Sequence, residues 1–182
     1  KRFFGGIVPH AGWYYSGDIA AEVIEILSLS RPDLVIVFGM HMHENQDIRM
    51  MTSGAYQTPL GLLPVCSELV SKIPEKYTFL DESPYDFHPD NTIEVQLPMI
   101  KYFMGEVEVL GIGLPPTDIC IEFASDLIIE AKKIKHNPVV IGSTDLTHYG
   151  PSFDFVSYGD SHSAVDKIKN DIDLKIINAM EE

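Results

Sequence analysis

Cysteine is scarce in this 182-residue chain: there are two, Cys66 and Cys120. Two are too few for a disulfide framework, and they lie too far apart for a thiolate zinc site. Both have apolar neighbours and read as inert core packing, so a reducing cytoplasm is the expected compartment. Long apolar runs are absent; none approaches the ~18 residues that a membrane span needs. Basic residues are few, 13 Lys and Arg against 27 Asp and Glu, a net charge of −14 with the histidines neutral. A field of that sign repels nucleic-acid phosphates and anionic lipid headgroups, so neither nucleic acid nor a membrane is an expected partner. Phosphate-cradling loops are missing as well. No GxxxxGK[ST] occurs, and Gly111–Ile112–Gly113 runs into Leu114–Pro115–Pro116, which cannot turn into a dinucleotide-binding helix. No nucleotide cofactor is therefore expected. No serine sits in a GxSxG elbow, and neither Ser16 nor Ser143 shows a sign of activation.

The chain does have the balance of an ordinary globular protein, 45% hydrophobic and 22% charged, enough for one sizeable core. Strand-length apolar runs fall at residues 3–8, 34–38, 108–112 and 139–143. The second and fourth, LVIVF and VVIGS, are continuous rather than alternating, as in strands buried on both faces. Helical periods lie between them. Asp18 is placed to cap a helix whose Ile19, Val23, Ile26 and Leu27 share one face. Residues 92–102 carry Ile93, Leu97, Ile100 and Tyr102, with Pro98 kinking the helix or marking a late start. A Thr117 or Asp118 cap opens a helix to residue 133, and residues 160–180 form a last amphipathic one. The alternation predicts an α/β fold with a mostly parallel or mixed central sheet and helices on both faces.

Between residues 46 and 63 the pattern changes. Segments 48–52 and 55–58 flank Ser53–Gly54, residues 58–61 look like a turn, and an inserted β-hairpin is the simplest account. Residues 81–91, with two prolines and four acids, read as a loop of functional length. The first residues already read as a strand and the last as a helix without a stop signal. The chain is thus expected to be a single domain over 1–182 that lacks N- and C-terminal segments of the full domain.

Three polar clusters directly follow predicted strands: Pro9–His10–Ala11–Gly12, Gly39–Met40–His41–Met42–His43, and Asp145–Leu146–Thr147–His148–Tyr149–Gly150. In an open α/β sheet the loops beyond the carboxyl ends of parallel strands meet at one rim, where ligands bind. Four of the seven histidines are expected there, with a carboxylate beside the last. Imidazole and carboxylate are the ligand set for zinc, iron, copper or manganese, and equally the groups of a general base and its orienting acid. Plainer roles stand beside these. His10 can satisfy a turn, an HxH pair can lie on a surface without metal, and Asp145 can cap a helix with His148 in solvent. His136 reads as a helix C-terminal cation, His162 as a surface residue, and His88 as a loop residue able to swing into a site. Met40 and Met42 offer soft ligands or core filling, and Trp13, Tyr14 and Tyr149 can wall a pocket or pack in a core.

The stretches IVPHAGWYYSG (7–17), VIVFGMHMH (35–43), YQTPLG (56–61), DNTIEVQLP (90–98) and STDLTHYGP (143–151) resemble, in order and over nearly the whole chain, the Memo family. Its prokaryotic members are often called AmmeMemoRadiSam system protein B. The resemblance implies a fold similar to that of class III extradiol ring-cleaving dioxygenases, which use non-haem Fe(II). It also implies that His10 is the first metal-ligand histidine, His148 the base beside the metal and Asp145 an acid of the same pocket. Animal members are associated with copper or iron binding, redox signalling and phosphotyrosine-containing partners. Prokaryotic members are linked with a radical SAM protein and an AMMECR-type domain.

Three departures qualify what is carried over. The second ligand histidine of the family pattern, G-P-[SN]-H, falls on Met42, with His41 and His43 on either side. Where relatives read E-H-S-[IL]-E, this chain reads Asp90–Asn91–Thr92–Ile93–Glu94. The family's further ligand, a Cys in a Cys-Gly pair, lies downstream of residue 182. Two functions are then expected as alternatives. In the first, His10 with His41 or His43 holds iron, copper or zinc, and His148 oriented by Asp145 moves a proton. Tyr14, Asn91, Glu94 and Tyr149 line the pocket for oxidative or other metal-dependent chemistry, metal-assisted hydrolysis included, on a small molecule. In the second, the chain is a non-catalytic binding or scaffold protein that recognises a peptide or protein partner on the same fold. Homo-oligomerisation and a link to radical SAM and AMMECR-type proteins belong to the same expectation.

Overall fold

A computed structural model describes residues 2–83, 85–87, 89–134, 137–159 and 161–181. They form two compact units, one ending at Thr144 and one beginning at Asp145. The strands of the first unit are β1 (Gly5–Val8), β2 (Leu34–Gly39), β3 (Ile48–Met50), β4 (Ala55–Thr58), β5 (Gly61–Pro64), β6 (Phe79–Asp81), β7 (Glu108–Gly113) and β8 (Pro138–Ser143). Its helices are α1 (Trp13–Ser28), α2 (Ser67–Val70), α3 (Asn91–Glu94), α4 (Leu97–Met104) and α5 (Asp118–Lys133). Six strands make one sheet in the order β1-β8-β2-β7-β3-β6, and β4 with β5 make a separate hairpin. The pairs β1/β8, β8/β2 and β2/β7 are parallel, as is β3/β6, whereas β3 runs antiparallel to β7. The sheet is therefore mixed, within an α/β fold as expected.

Burial explains the continuous apolar runs. On β2, Val35 and Val37 join one core with Val8, Ile24 and Ile100, while Leu34 and Ile36 join another with Ile112, Phe123 and Leu127. Helices α1 and α4 cover the first face and α5 the second, so successive β2 residues are buried on opposite sides. Each such side chain contributes ~1.5–3 kcal/mol on burial.

Several local expectations are corrected. Helix α1 starts at Trp13, not after Asp18, with Gly12 at its N-cap. The first turn is held by Ser16 Oγ donating to Ala11 O (3.1 Å) and by Trp13 Nε1 donating to Val95 O (2.9 Å). Asp18 thus lies inside the helix, and the buried stripe is Ala20, Ile24 and Leu27, with Ile19 and Ile26 exposed. The helix read over 92–102 is divided into α3 and α4, and Pro98 sits in the first turn of α4, where a missing N–H costs nothing. The hairpin is formed by β4 and β5 around the 58–61 turn, not by 48–52 with 55–58. Ile48 and Met50 are both buried and extend the main sheet on β7 instead.

The second unit contains a short 3-10 turn (Pro151–Phe153), α6 (His162–Lys167), a π-helical stretch (Ile168–Asp173) and α7 (Leu174–Glu181). The predicted last helix is thus interrupted by a wider turn. Its expected first residue, Asp160, and the readings made for His88 and His136 lie outside the described residues. Among the described residues no helix is long and apolar enough to cross a membrane.

Candidate functional site

Parallel pairing aligns the carboxyl ends of β1, β8 and β2: Val8 is opposite Ser143, and Phe38 opposite Gly142. The loop after β1 carries His10, which is buried. Its Nδ1 lies 3.2 Å from Ser143 Oγ, and that hydroxyl donates to Thr92 O at 2.6 Å. A serine hydroxyl has one proton, so His10 Nδ1–H is the donor in the first contact. The backbone of the loop is pinned from α3 and α4. Asn91 Nδ2 donates to His10 O and Gln96 Nε2 to Pro9 O, each at 2.9 Å.

The loop after β2 is steered by α3. Gly39 lies so close to α3 that a Cβ there would sit 2.5 Å from Thr92 Oγ1. Met40 then adopts a left-handed backbone (φ 68°), with its N–H donating to that same Oγ1. Beyond it, His41 donates twice to Asp90 Oδ2, from its backbone N–H at 2.8 Å and its ring Nδ1 at 2.9 Å. The other Asp90 oxygen caps α3 by accepting from Thr92 N at 2.8 Å. Burial acts to raise the Asp90 pKa, but the hydrogen bonds from Thr92 and His41 outweigh it and hold the carboxyl below its usual 3.8. The His41 ring therefore carries a proton on Nδ1, donated to Asp90. The two imidazoles meet edge to face, with centroids 5.2 Å apart.

This pair shares two features with metal-binding histidines, an anchored Nδ1 and a ring separation near 5 Å. Metal-binding histidines hold their other ring N–H on an acceptor, which fixes tautomer and orientation. Both rings do so here, on Ser143 and Asp90. Two imidazoles that share a tetrahedral ion ~2 Å from each nitrogen have centroids ~5 Å apart, close to the separation observed. Among the described residues no group of three or more His, Cys, Asp or Glu is assembled as a ligand set. The residue brought to His10 is His41. His43 is exposed in the following turn, its backbone N–H donating to Gln46 Oε1 (2.6 Å).

The other expected residues take varied positions. Asn91 holds the His10 carbonyl, and Glu94 faces a cavity of about 250 Å³ that Asp90 also lines. Tyr14 is 94% exposed on α1, edge to face with Tyr15. In the second unit Asp145 Oδ2 is 3.3 Å from His148 Nε2, and the His148 ring packs on Phe153. Thr147 N–H donates to Asp173 Oδ1 (3.1 Å), tying this turn to the π-helical stretch. Tyr149 OH donates to Gly159 O (2.7 Å) and accepts from Tyr158 N–H (2.8 Å), which makes it a staple of its own loop. Cys66 and Cys120 are buried, and burial pushes the Cys66 thiol up to about 11, far from a reactive thiolate. Sequence reasoning passed over Ser143, Asp90 and Thr92 as orienting groups. The Asp-x-Thr start of α3 is an N-cap signature that marks two of them; nothing local marks the serine.

The class this defines is an α/β protein with a mixed sheet, whose rim presents an anchored histidine pair beside an acidic cavity. The chain belongs to the Memo family: the family model described as Memo-like protein matches residues 2–182. It is similar to a MEMO1 family protein of Pyrobaculum arsenaticum, 30% identical over 155 residues, covering 83% of this chain and 55% of that protein. Similar, too, are MEMO1 family proteins of Methanopyrus kandleri (33% over 152 residues, 81% and 54%) and Thermotoga neapolitana (32% over 150 residues, 80% and 53%). The chain thus spans just over half the length of these relatives.

Proposed function

We propose that this Memo-family chain is metal-dependent, with His10 and His41 holding a first-row divalent ion, iron, copper or zinc, for oxidative or related chemistry on a small molecule. The observation that carries this reading is that both rings are anchored through Nδ1, His10 on Ser143 and His41 on Asp90, with their centroids 5.2 Å apart. A bound ion of this kind supplies Lewis acidity and open coordination positions for a substrate. Asp90 keeps His41 in one tautomer and one orientation, and Ser143, itself aimed by Thr92 O, does the same for His10. A second reading, a peptide- or protein-binding scaffold, is favoured by a different observation. The start of α1 presents Trp13, Tyr14 and Tyr15 at 53%, 94% and 80% exposure, a concentration of aromatic surface suited to a partner.

The test is metal content by elemental mass spectrometry, followed by anaerobic titration with Fe(II), Cu(II) and Zn(II). The metal reading expects about one equivalent per chain, lost in His10→Ala and in His41→Ala, unchanged in His43→Ala. Asp90→Asn should weaken binding by roughly 10- to 100-fold. If the folded chain binds none of the three ions, or if both alanine variants bind as the parent does, the scaffold reading replaces it.

A further inference from the structure

The cavity next to Asp90 belongs wholly to the first unit and is not used by the histidine pair. Its walls are apolar and soft: Met40, Met51, Tyr56, Phe87 and Ile93. Its polar rim is acidic, with Glu82, Asp90 and Glu94, and among the described residues no Lys, Arg or His lines it. Arg49 approaches Glu82 at 3.6 Å, and Asp90 is satisfied by Thr92 and His41. Glu94 is exposed at the rim and forms no ion pair among the described residues.

A pocket of this character discriminates by charge. An anion would meet three carboxylates within a chain of net charge −14, whereas an ammonium gains both from the carboxylates and from the faces of the aromatic walls. Thioether sulfurs add favourable contacts to an aromatic ring. At about 250 Å³ the space lies just below the usual range for small-molecule sites, which limits the ligand to one ring with a short tail.

We propose that this cavity binds a small arylalkyl ammonium, the ring among the apolar walls and the ammonium at the carboxylate rim. The proposal does not rest on the metal reading. The probe is 2-phenylethylamine, with 2-phenylethanol and 3-phenylpropanoate as neutral and anionic counterparts of similar size. Binding is followed by calorimetry and by the methyl resonances of Met40 and Met51 in methyl-labelled protein. The amine should bind saturably and shift both methyls, the alcohol should bind about tenfold more weakly, and the carboxylate should not bind. Glu94→Gln, isosteric and exposed, should weaken the amine about tenfold and leave the alcohol unchanged. Ala55→Phe, which fills the cavity from β4, should abolish binding of both. His10→Ala should retain amine binding, which separates failure here from failure of the metal reading. Equal affinity for amine and alcohol, no saturable amine binding, or amine binding unchanged in Glu94→Gln and Ala55→Phe would overturn the proposal.

Discussion

Asp90 accepts from both Thr92 and His41 with one carboxylate, and its removal tests whether the rim is built around it. In Asp90→Ala the N-cap of α3 is lost, at a cost of about 1 kcal/mol. The backbone N–H of His41 loses a charge-assisted acceptor, worth ~1.5–3 kcal/mol. The ring bond adds little, because the His41 side chain is 57% exposed and water can replace the carboxylate. The sum is about 3 kcal/mol at neutral pH, read as a lower urea midpoint at unchanged slope. The sign of the pH dependence follows from the lowered folded pKa. Asp90 binds its proton less readily in the folded chain than in the unfolded one, whose value is near 3.8. Its contribution is therefore fully present above that value and lost as pH falls through the still lower folded value. The difference between parent and variant should shrink below about pH 4. A cost under about 1 kcal/mol, or a difference that stays constant from neutral pH to acid unfolding, would show that Asp90 does not organise this rim.

Three further outcomes follow from the same contacts. Ser143→Ala removes the acceptor of His10 Nδ1–H and the donor to Thr92 O; we expect a loss of about 1–2 kcal/mol and, by imidazole nitrogen NMR, a mixture of His10 tautomers, whereas a single unchanged tautomer refutes the orienting role. Thr92→Val keeps the shape of a side chain that is 1% exposed but removes the acceptor of Met40 N–H; it should cost ~1–3 kcal/mol and broaden the His41 ring N–H signal, and a sharp, unshifted signal would count against this coupling. Tyr56 donates no help to alkaline stability: burial pushes its phenol from 10.0 up to about 12, so its contribution is complete below 10 and lost as pH rises through about 12, and Tyr56→Phe should flatten that limb in a pH series of unfolding midpoints.

The strands at the centre of the sheet were legible because burial on both faces leaves no choice of residue. LVIVF and VVIGS read as strands and form β2 and β8 to within a residue at each end. Helix α5 was legible for the complementary reason, a long period with Thr117 ahead of it. Short elements were not legible. β5, β6 and α2 are three or four residues long, too short for a pattern to repeat enough to stand out, and tertiary contacts select them. The α1 stripe was misread by one position because Ile19 and Ile26 are as apolar as the residues that are buried. The helix starts at Trp13, six residues earlier than the Asp18 cap implied, with the Trp13 indole bonded to Val95 O, and no pattern within the segment encodes that distant acceptor. At the rim, His10 and His41 each follow the end of a strand, β1 and β2, that the apolar runs had marked. What lay beyond the sequence was which histidine of the His41–Met42–His43 run turns towards His10.

That selection is made by the backbone rather than by the histidines. Side chains alternate along extended chain, so His41 and His43 would point together and Met42 opposite if β2 simply continued. Met40 breaks the alternation. Its left-handed φ is uncommon for a residue with a side chain and is retained only where surrounding contacts demand it. Two such contacts are present: its N–H is taken by Thr92 Oγ1, and its side chain fills the space over Gly113, where an added Cβ would come within 2.4 Å of Sδ. The turn delivers both donors of His41 to Asp90 and leaves His43 in solvent. The orientation of His41 therefore depends on Asp90, Thr92 and Gly113 together. The site is better described by these three residues than by the histidine spacing. A chain with histidine at position 41 but without the acid at 90 has no fixed tautomer to offer.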